Sequence, residues 1–226
     1  MPTQCNQEFL EFHPLDKRDV RGGFDGGAIT SDAGGLLLRE VEKRTEIITQ
    51  FASCFRDHRK AERIEHRVEE LVAQRVYGLA LGYEDLNDHE EVRRDPLLGV
   101  LAEKADPTGE SRVRARDQGK ALAGKSTLNR LDLTAAEVKE GERYKKIRLD
   151  FSSVGYLLMQ ALRRLGLQGT EMAKAQCTTL RLKLLKIGAL IRITVRKGWG
   201  SMAAGHPDAE RFRQAYARLQ AMPSRA

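Results

Sequence analysis

A mainly helical fold with one small antiparallel β hairpin, an α+β class, follows from three observations. Apolar residues recur at three- and four-residue spacing along most of the chain, as on helices with one buried face. Glycines and prolines cut these stretches into short pieces. Between Leu180 and Lys197 the spacing gives way to alternation, as in an extended chain whose successive side chains face opposite sides.

At 226 residues, 41% hydrophobic and 31% charged, the chain has the composition of a soluble globular protein with one good core or two modest ones. No apolar run approaches the roughly 18 residues that cross a bilayer. Met1 to Glu8 lacks the basic and apolar regions of a signal peptide, so a cytoplasmic protein without membrane contact is expected. Cys5, Cys54 and Cys177 are odd in number and far apart, which argues against a disulfide framework; Cys177 is expected to be buried and structural.

In order along the chain, residues 1–23 read as irregular, broken by Pro14 and the Gly22-Gly23 pair. A glycine-rich run from Phe24 to Gly35 then enters a helix, with Ser31 placed to cap its first N–H groups and Asp32 favoured beside its positive end. This helix buries Leu37, Leu38 and Val41 and continues, broken near Thr45, through Ile48, Phe51 and Phe55. Asp25 and Asp32 have the chemistry to hold a divalent metal, although aspartate in turns and at helix starts is the ordinary case. Lys60 to Leu81 is expected to be one core helix, its stripe formed by Ile64, Val68, Leu71, Val72, Val76 and Leu79 and its end bracketed by Gly78 and Gly82. Glu84, Asp85, Asp88, His89 and Glu90 are dense in ligand types, yet acids in such a loop ordinarily cap helices. Pro96 suits a first helical position, residues 105–118 read as a surface loop, and residues 127–147 as a soft helix.

Phe151, Val154, Leu158, Leu162 and Leu165 mark a strongly apolar helix closed by Gly166, and a shorter helix is expected from Gly169 to Cys177. Leu180 to Lys197 is expected to be two strands joined near Lys186 to Ala189. After a glycine-broken link at residues 198–205, Pro207 and Asp208 start a last helix with Phe212, Ala215, Tyr216 and Leu219 on its apolar side.

The functional signal is charge. Residues 148–226 hold 14 Lys/Arg against 4 Asp/Glu, net +10, whereas residues 1–147 hold 25 against 28, net −3. A basic tail on a near-neutral body suits a polyanion. On the expected hairpin Arg181, Lys183, Arg192 and Arg196 share the face opposite the apolar rows, with Lys186 and Lys197 at its edges; these six are the candidate DNA-binding residues. A solvated strand face that binds nothing is the alternative.

Catalytic signatures are weak. Gly119 to Ser126 fits the GxxxxGK[ST] phosphate loop letter for letter, but Ser111 to Gln118 before it is too charged for the buried parallel strand such a loop requires. A nucleotide-binding protein therefore stands as an alternative on the letters alone. The five histidines show no ligand spacing, and no GxSxG elbow is present.

Several stretches together closely resemble the DDE group 1 transposases of bacterial insertion sequences. Phe24 to Glu40, Gln74 to His89, Arg94 to Leu98 and Leu122 to Leu131 resemble the family's N-terminal region, and Phe151 to Leu165 with Gln176 to Ala189 its far C-terminus. The resemblance implies two regions, residues 1–147 and residues 148–226. The first is mostly helical; the second is a helix, the basic hairpin and a helix. It also implies a ribonuclease-H-like catalytic core between them, whose Asp, Asp and Glu would hold Mg²⁺. Here Lys145-Lys146-Ile147 runs almost directly into Phe151, and Asp150 precedes residues of the C-terminal type, so no catalytic residue or cofactor is carried over. The expectation is a non-enzymatic internal-deletion remnant of such a transposase that retains at most binding to insertion-sequence ends. Its expected protein partners are full-length transposase or further copies of itself. The alternatives are an inert structural remnant and a dominant-negative partner of the full-length protein.

Overall fold

The computed structural model describes residues 10–15, 18–22, 27–132, 144–146, 151–194 and 196–223. The chain opens with two strands where the sequence reads as irregular, β1 (Leu10–Leu15) and β2 (Arg18–Gly22), paired antiparallel. The two-residue strand β3 (Ile29–Thr30) leads into α1 (Gly35–Thr45), which buries Leu37, Leu38 and Val41 as expected. Glu46 breaks the helix beside Thr45 by taking the left-handed conformation, φ 55°. The Glu42 carboxylate then accepts from the Ile48 and Thr49 N–H groups at 2.7 and 2.9 Å, capping α2 (Ile47–Ala52). Phe55 is not helical. It begins β4 (Phe55–Asp57), and its ring packs against Phe51 and Phe151.

The core helix α3 (Val68–Leu81) starts eight residues later than expected, after a 3₁₀ turn at Ala61–Arg63. The start is set by the Glu70 carboxylate, which accepts from the Arg67 N–H at 3.0 Å. The helix ends at Gly82, whose φ of 100° suits glycine. Hardly any side of α3 is exposed, because α2, the seventh helix and the short helix after Pro96 surround it. The intervening segment carries α4 (His89–Val92) and α5 (Pro96–Leu101), the latter with Pro96 in its first turn and the Asp95 carboxylate accepting from the Leu97 N–H at 2.8 Å. Next comes α6 (Lys125–Asp132). Residues 133–143 of the expected soft helix lie outside the described residues, and its far end is instead strand β5 (Tyr144–Lys146), paired with β4.

The apolar helix α7 (Phe151–Gly166) matches its expected span and lies against α1 and α3, with Gly155 letting it approach Leu79. A 3₁₀ turn at Glu171–Lys174 replaces the expected helix before Cys177, and α8 (Cys177–Leu180) runs on into a π-helical turn, Arg181–Leu185. Two strands follow, β6 (Ala189–Ile193) and β7 (Gly198–Met202), then α9 (Ala209–Gln220), which packs on α1 and α7. In α9, Ala215 and Leu219 are buried and Phe212 is half-buried, but Tyr216 is exposed.

The fold is thus mainly helical with small antiparallel sheets. Among the described residues the largest sheet has the order β3-β6-β7, so a strand from the N-terminal region pairs with a hairpin in the C-terminal one. One apolar cluster runs from Ala33 to Leu219 through α1, α3, α7 and α9.

Candidate nucleic-acid interface

The two strands expected between Leu180 and Lys197 do not pair with each other; a hairpin forms one strand further along, from β6 and β7. Leu180 to Leu185 is helical because Leu180, Leu184 and Leu185, four and five residues apart, are all fully buried while Leu182 is 63% exposed. Alternation would have buried Leu182 with its neighbours; helical spacing turns it outward. The Lys186 N–H donates to the Arg181 carbonyl at 2.8 Å, the wide turn that ends this segment. The chain then meets the start of α1: Ala33 and Gly34 N–H groups donate to the Ile187 and Leu185 carbonyls at 3.0 and 3.1 Å. Gly34 is required there, since a Cβ would lie 1.9 Å from the Leu184 carbonyl oxygen.

Two of the six candidate cations are therefore committed elsewhere, a correction to the single cationic face. Arg181 folds back onto α3, its guanidinium donating to the Ala80 carbonyl at 3.0 Å. There it satisfies carbonyls that the helix end leaves free. Lys186 points inward and pairs with the wholly buried Asp32, Nζ to Oδ1 2.7 Å. Asp32 also accepts from the Tyr83 hydroxyl at 2.6 Å and from Ser31 Oγ at 2.8 Å, so Ser31 serves Asp32 and does not cap the helix. The Thr30 hydroxyl donates to Asp95 at 2.5 Å. Burial works against the Lys186 ammonium, but Asp32 and the Tyr83 hydroxyl raise its pKa nonetheless. Burial and Asp32 raise the Tyr83 pKa, and burial raises that of Asp95. This network ties the entry of α1 and the loop after α3 to the C-terminal region.

The remaining cations lie at the surface. Lys183 is exposed on the π turn, and Arg192, Arg196 and Lys197 are exposed on the β6–β7 hairpin. In β6 the expected alternation holds, with Ala189 and Ile191 inward and Leu190 and Arg192 outward. Val195 lies outside the described residues. The turn is closed by Thr194, whose N–H donates to the Lys197 carbonyl at 2.8 Å and whose hydroxyl accepts from the Lys197 N–H at 3.0 Å. What was expected to be an irregular glycine link is strand β7, with Ile191 opposite Gly200 and Arg192 opposite Trp199. Trp199, the chain's single tryptophan, is exposed with Lys197 Nζ 5.5 Å from its ring centroid. Sequence reasoning missed it because the flanking glycines disguise the strand. No carboxylate occurs between Glu171 and Asp208.

The other candidate motifs resolve into local structure. Lys125 of the GxxxxGK[ST] run starts α6, but no strand precedes it. Its N–H donates to the Glu90 carboxylate at 2.8 Å, so an anion already occupies the helix start. Asp85 accepts from the Asn87 N–H at 2.8 Å. His89 is buried, with Nδ1 3.2 Å from the Gln74 amide nitrogen, which also donates to the Ala123 carbonyl at 2.8 Å. Among the described residues no three His, Cys, Asp or Glu side chains form a metal-holding group. Asp25, the other half of the possible Asp25–Asp32 pair, lies outside them. The residues present do not fit a divalent metal at Asp32, whose carboxylate is taken up by Lys186, Tyr83 and Ser31. Cys177 is half-exposed, not buried; it and Cys54 are free thiols. Among the described residues no helix is long and apolar enough to cross a membrane.

Comparison with known proteins agrees with the resemblance read from the sequence. No curated protein and no solved structure matches the chain. The family model for the transposase DDE domain, group 1, matches residues 12–147 and residues 139–224. Together these matches cover nearly the whole chain, and the protein belongs to the group 1 transposase DDE domain family.

Proposed function

We propose that this transposase-family chain binds the double-stranded DNA of insertion-sequence ends through its basic hairpin and does not cleave it. The observation that carries the binding is the set of exposed cations, Lys183, Arg192, Arg196 and Lys197, in a stretch without carboxylates. Such a surface suits a phosphate backbone, whose condensed counterions it would release. Absence of strand cleavage is supported by the way the two family matches meet: residues 12–147 run directly into residues 139–224, leaving no chain between them for the catalytic core that the resemblance expects. Phosphoryl transfer by such a core rests on two metal ions held by carboxylates. Asp32 is occupied by its ion pair, and near His89 the carboxylates of Asp85 and Glu90 accept from backbone N–H groups.

A gel-shift experiment with end-labelled insertion-sequence-end duplex and Mg²⁺ tests both parts. The expected result is a retarded but intact duplex, with the logarithm of affinity falling against that of salt at a slope of about −3 to −4 for up to four phosphate contacts. Cleaved product overturns the silent reading, and an unretarded duplex at low salt overturns the binding one.

A further inference from the structure

Three exposed apolar side chains lie on one face of the β3-β6-β7 sheet. Ile29 pairs in register with Leu190, and Arg192 pairs with Trp199, which places all four on the outer face with Ser201. Ile29 is 64% exposed, Trp199 56% and Leu190 38%. The ring stands on the edge strand of this sheet, with Ser201 its next neighbour along β7 on the same face. Cations surround it: Arg192 across the strand pair, Lys197 Nζ 5.5 Å from its centroid, and Arg196 in the turn. Among the described residues Arg192 and Arg196 have no ion-pair partner.

The charge decides what covers this face. A second apolar surface would bury Arg192 and Lys197 without compensation, which is costly. A single strand of DNA supplies a phosphate for each cation and an open base face for the indole, the combination that binds unpaired strands without sequence preference. A duplex keeps its bases stacked internally and offers the ring no such face.

We infer that Trp199 is a stacking platform for unpaired bases, with Arg192, Arg196 and Lys197 holding the flanking phosphates, so that the hairpin engages single-stranded DNA through the ring and duplex through its cations alone. This rests on the proposed DNA binding and narrows it to the strand form engaged by one residue. It requires local opening at any duplex end that the hairpin grips through Trp199.

The single tryptophan makes the test direct. The full chain is titrated with a fluorescein-labelled 12-mer of deoxythymidine and with a blunt duplex of equal length, reading both label anisotropy and tryptophan emission. The expected result is quenched emission on binding the single strand, with Trp199→Ala weakening that binding about tenfold and changing duplex affinity less than twofold. Trp199→Phe, which keeps a ring, should recover part of the loss. Single-strand binding without quenching, or an equal loss for both DNAs in Trp199→Ala, overturns the stacking role while leaving DNA binding intact. Binding of neither DNA overturns both readings. A Trp199-dependent dimer by sedimentation, with no quenching, assigns the face to a second copy and overturns the inference. Circular dichroism checks that each variant keeps its fold.

Discussion

Among the described residues His89 and His66 are the buried histidines, and both are held neutral. Burial, reinforced by Arg75, lowers His89 to about 4; burial, reinforced by Lys104 and Arg112, lowers His66 to about 3. Unfolded, each titrates near 6.5, so below that pH the unfolded chain binds more protons than the folded one. Stability therefore falls as pH drops from 6.5 towards 4, by about 1.4 kcal/mol per pH unit for each histidine. Thermal unfolding between pH 7.5 and 5 should show a falling midpoint; a level one contradicts this. Lys186 makes a second test at this scale. Lys186→Met leaves the Asp32 carboxylate buried without its cation, and a loss of about 2 kcal/mol is expected, at the low side for a broken buried pair because the ammonium is part-exposed. Chemical denaturation measures it, and an unchanged midpoint shows that the pair contributes nothing. Neither effect was legible in the sequence, because Asp32 and Lys186 lie far apart along the chain and nothing local marks them as partners.

At the scale of elements, the segment from Leu180 to Leu185 separates pattern from packing. Its leucines satisfy a strand period at 180, 182 and 184 and a helical one at 180 and 184, and only the surrounding core chooses. Leu184→Ala should cost about 2–5 kcal/mol, as for a buried leucine, whereas Leu182→Ala should change stability by less than about 0.5 kcal/mol. Equal costs at both positions would return the segment to a strand. Where one period dominated, the reading was direct: Phe151, Val154, Leu158 and Leu162 define α7 over its full length, and Pro96 opens α5. Two of the short strands were illegible. β3 shows itself only through pairing with β6, and β7 is hidden by glycines on both sides of Trp199. For the candidate site, Arg192, Arg196 and Lys197 were readable as a cationic surface because β6 alternates. The diversion of Arg181 onto the end of α3 was not.

For the whole molecule, the N-terminal and C-terminal stretches share one core. α7 lies on α1 and α3, α9 on α1, and β3 completes the sheet begun by β6 and β7. Unfolding should therefore be a single transition, with far-ultraviolet and near-ultraviolet circular dichroism tracing the same urea curve. Two separated transitions would mean that the regions fold independently. The charge asymmetry then acquires a place: the near-neutral N-terminal region supplies much of the core, and the cations project from the hairpin that the core supports. The central claim is that this projection binds DNA. It is tested most directly by fluorescence anisotropy of a labelled duplex with the triple variant Arg192→Glu, Arg196→Glu, Lys197→Glu, beside Arg94→Glu, a charge reversal on the N-terminal region. The account predicts that the triple variant loses at least about a hundredfold in affinity at low salt while Arg94→Glu stays within about twofold of the unaltered chain. Equal affinity in all three would contradict it.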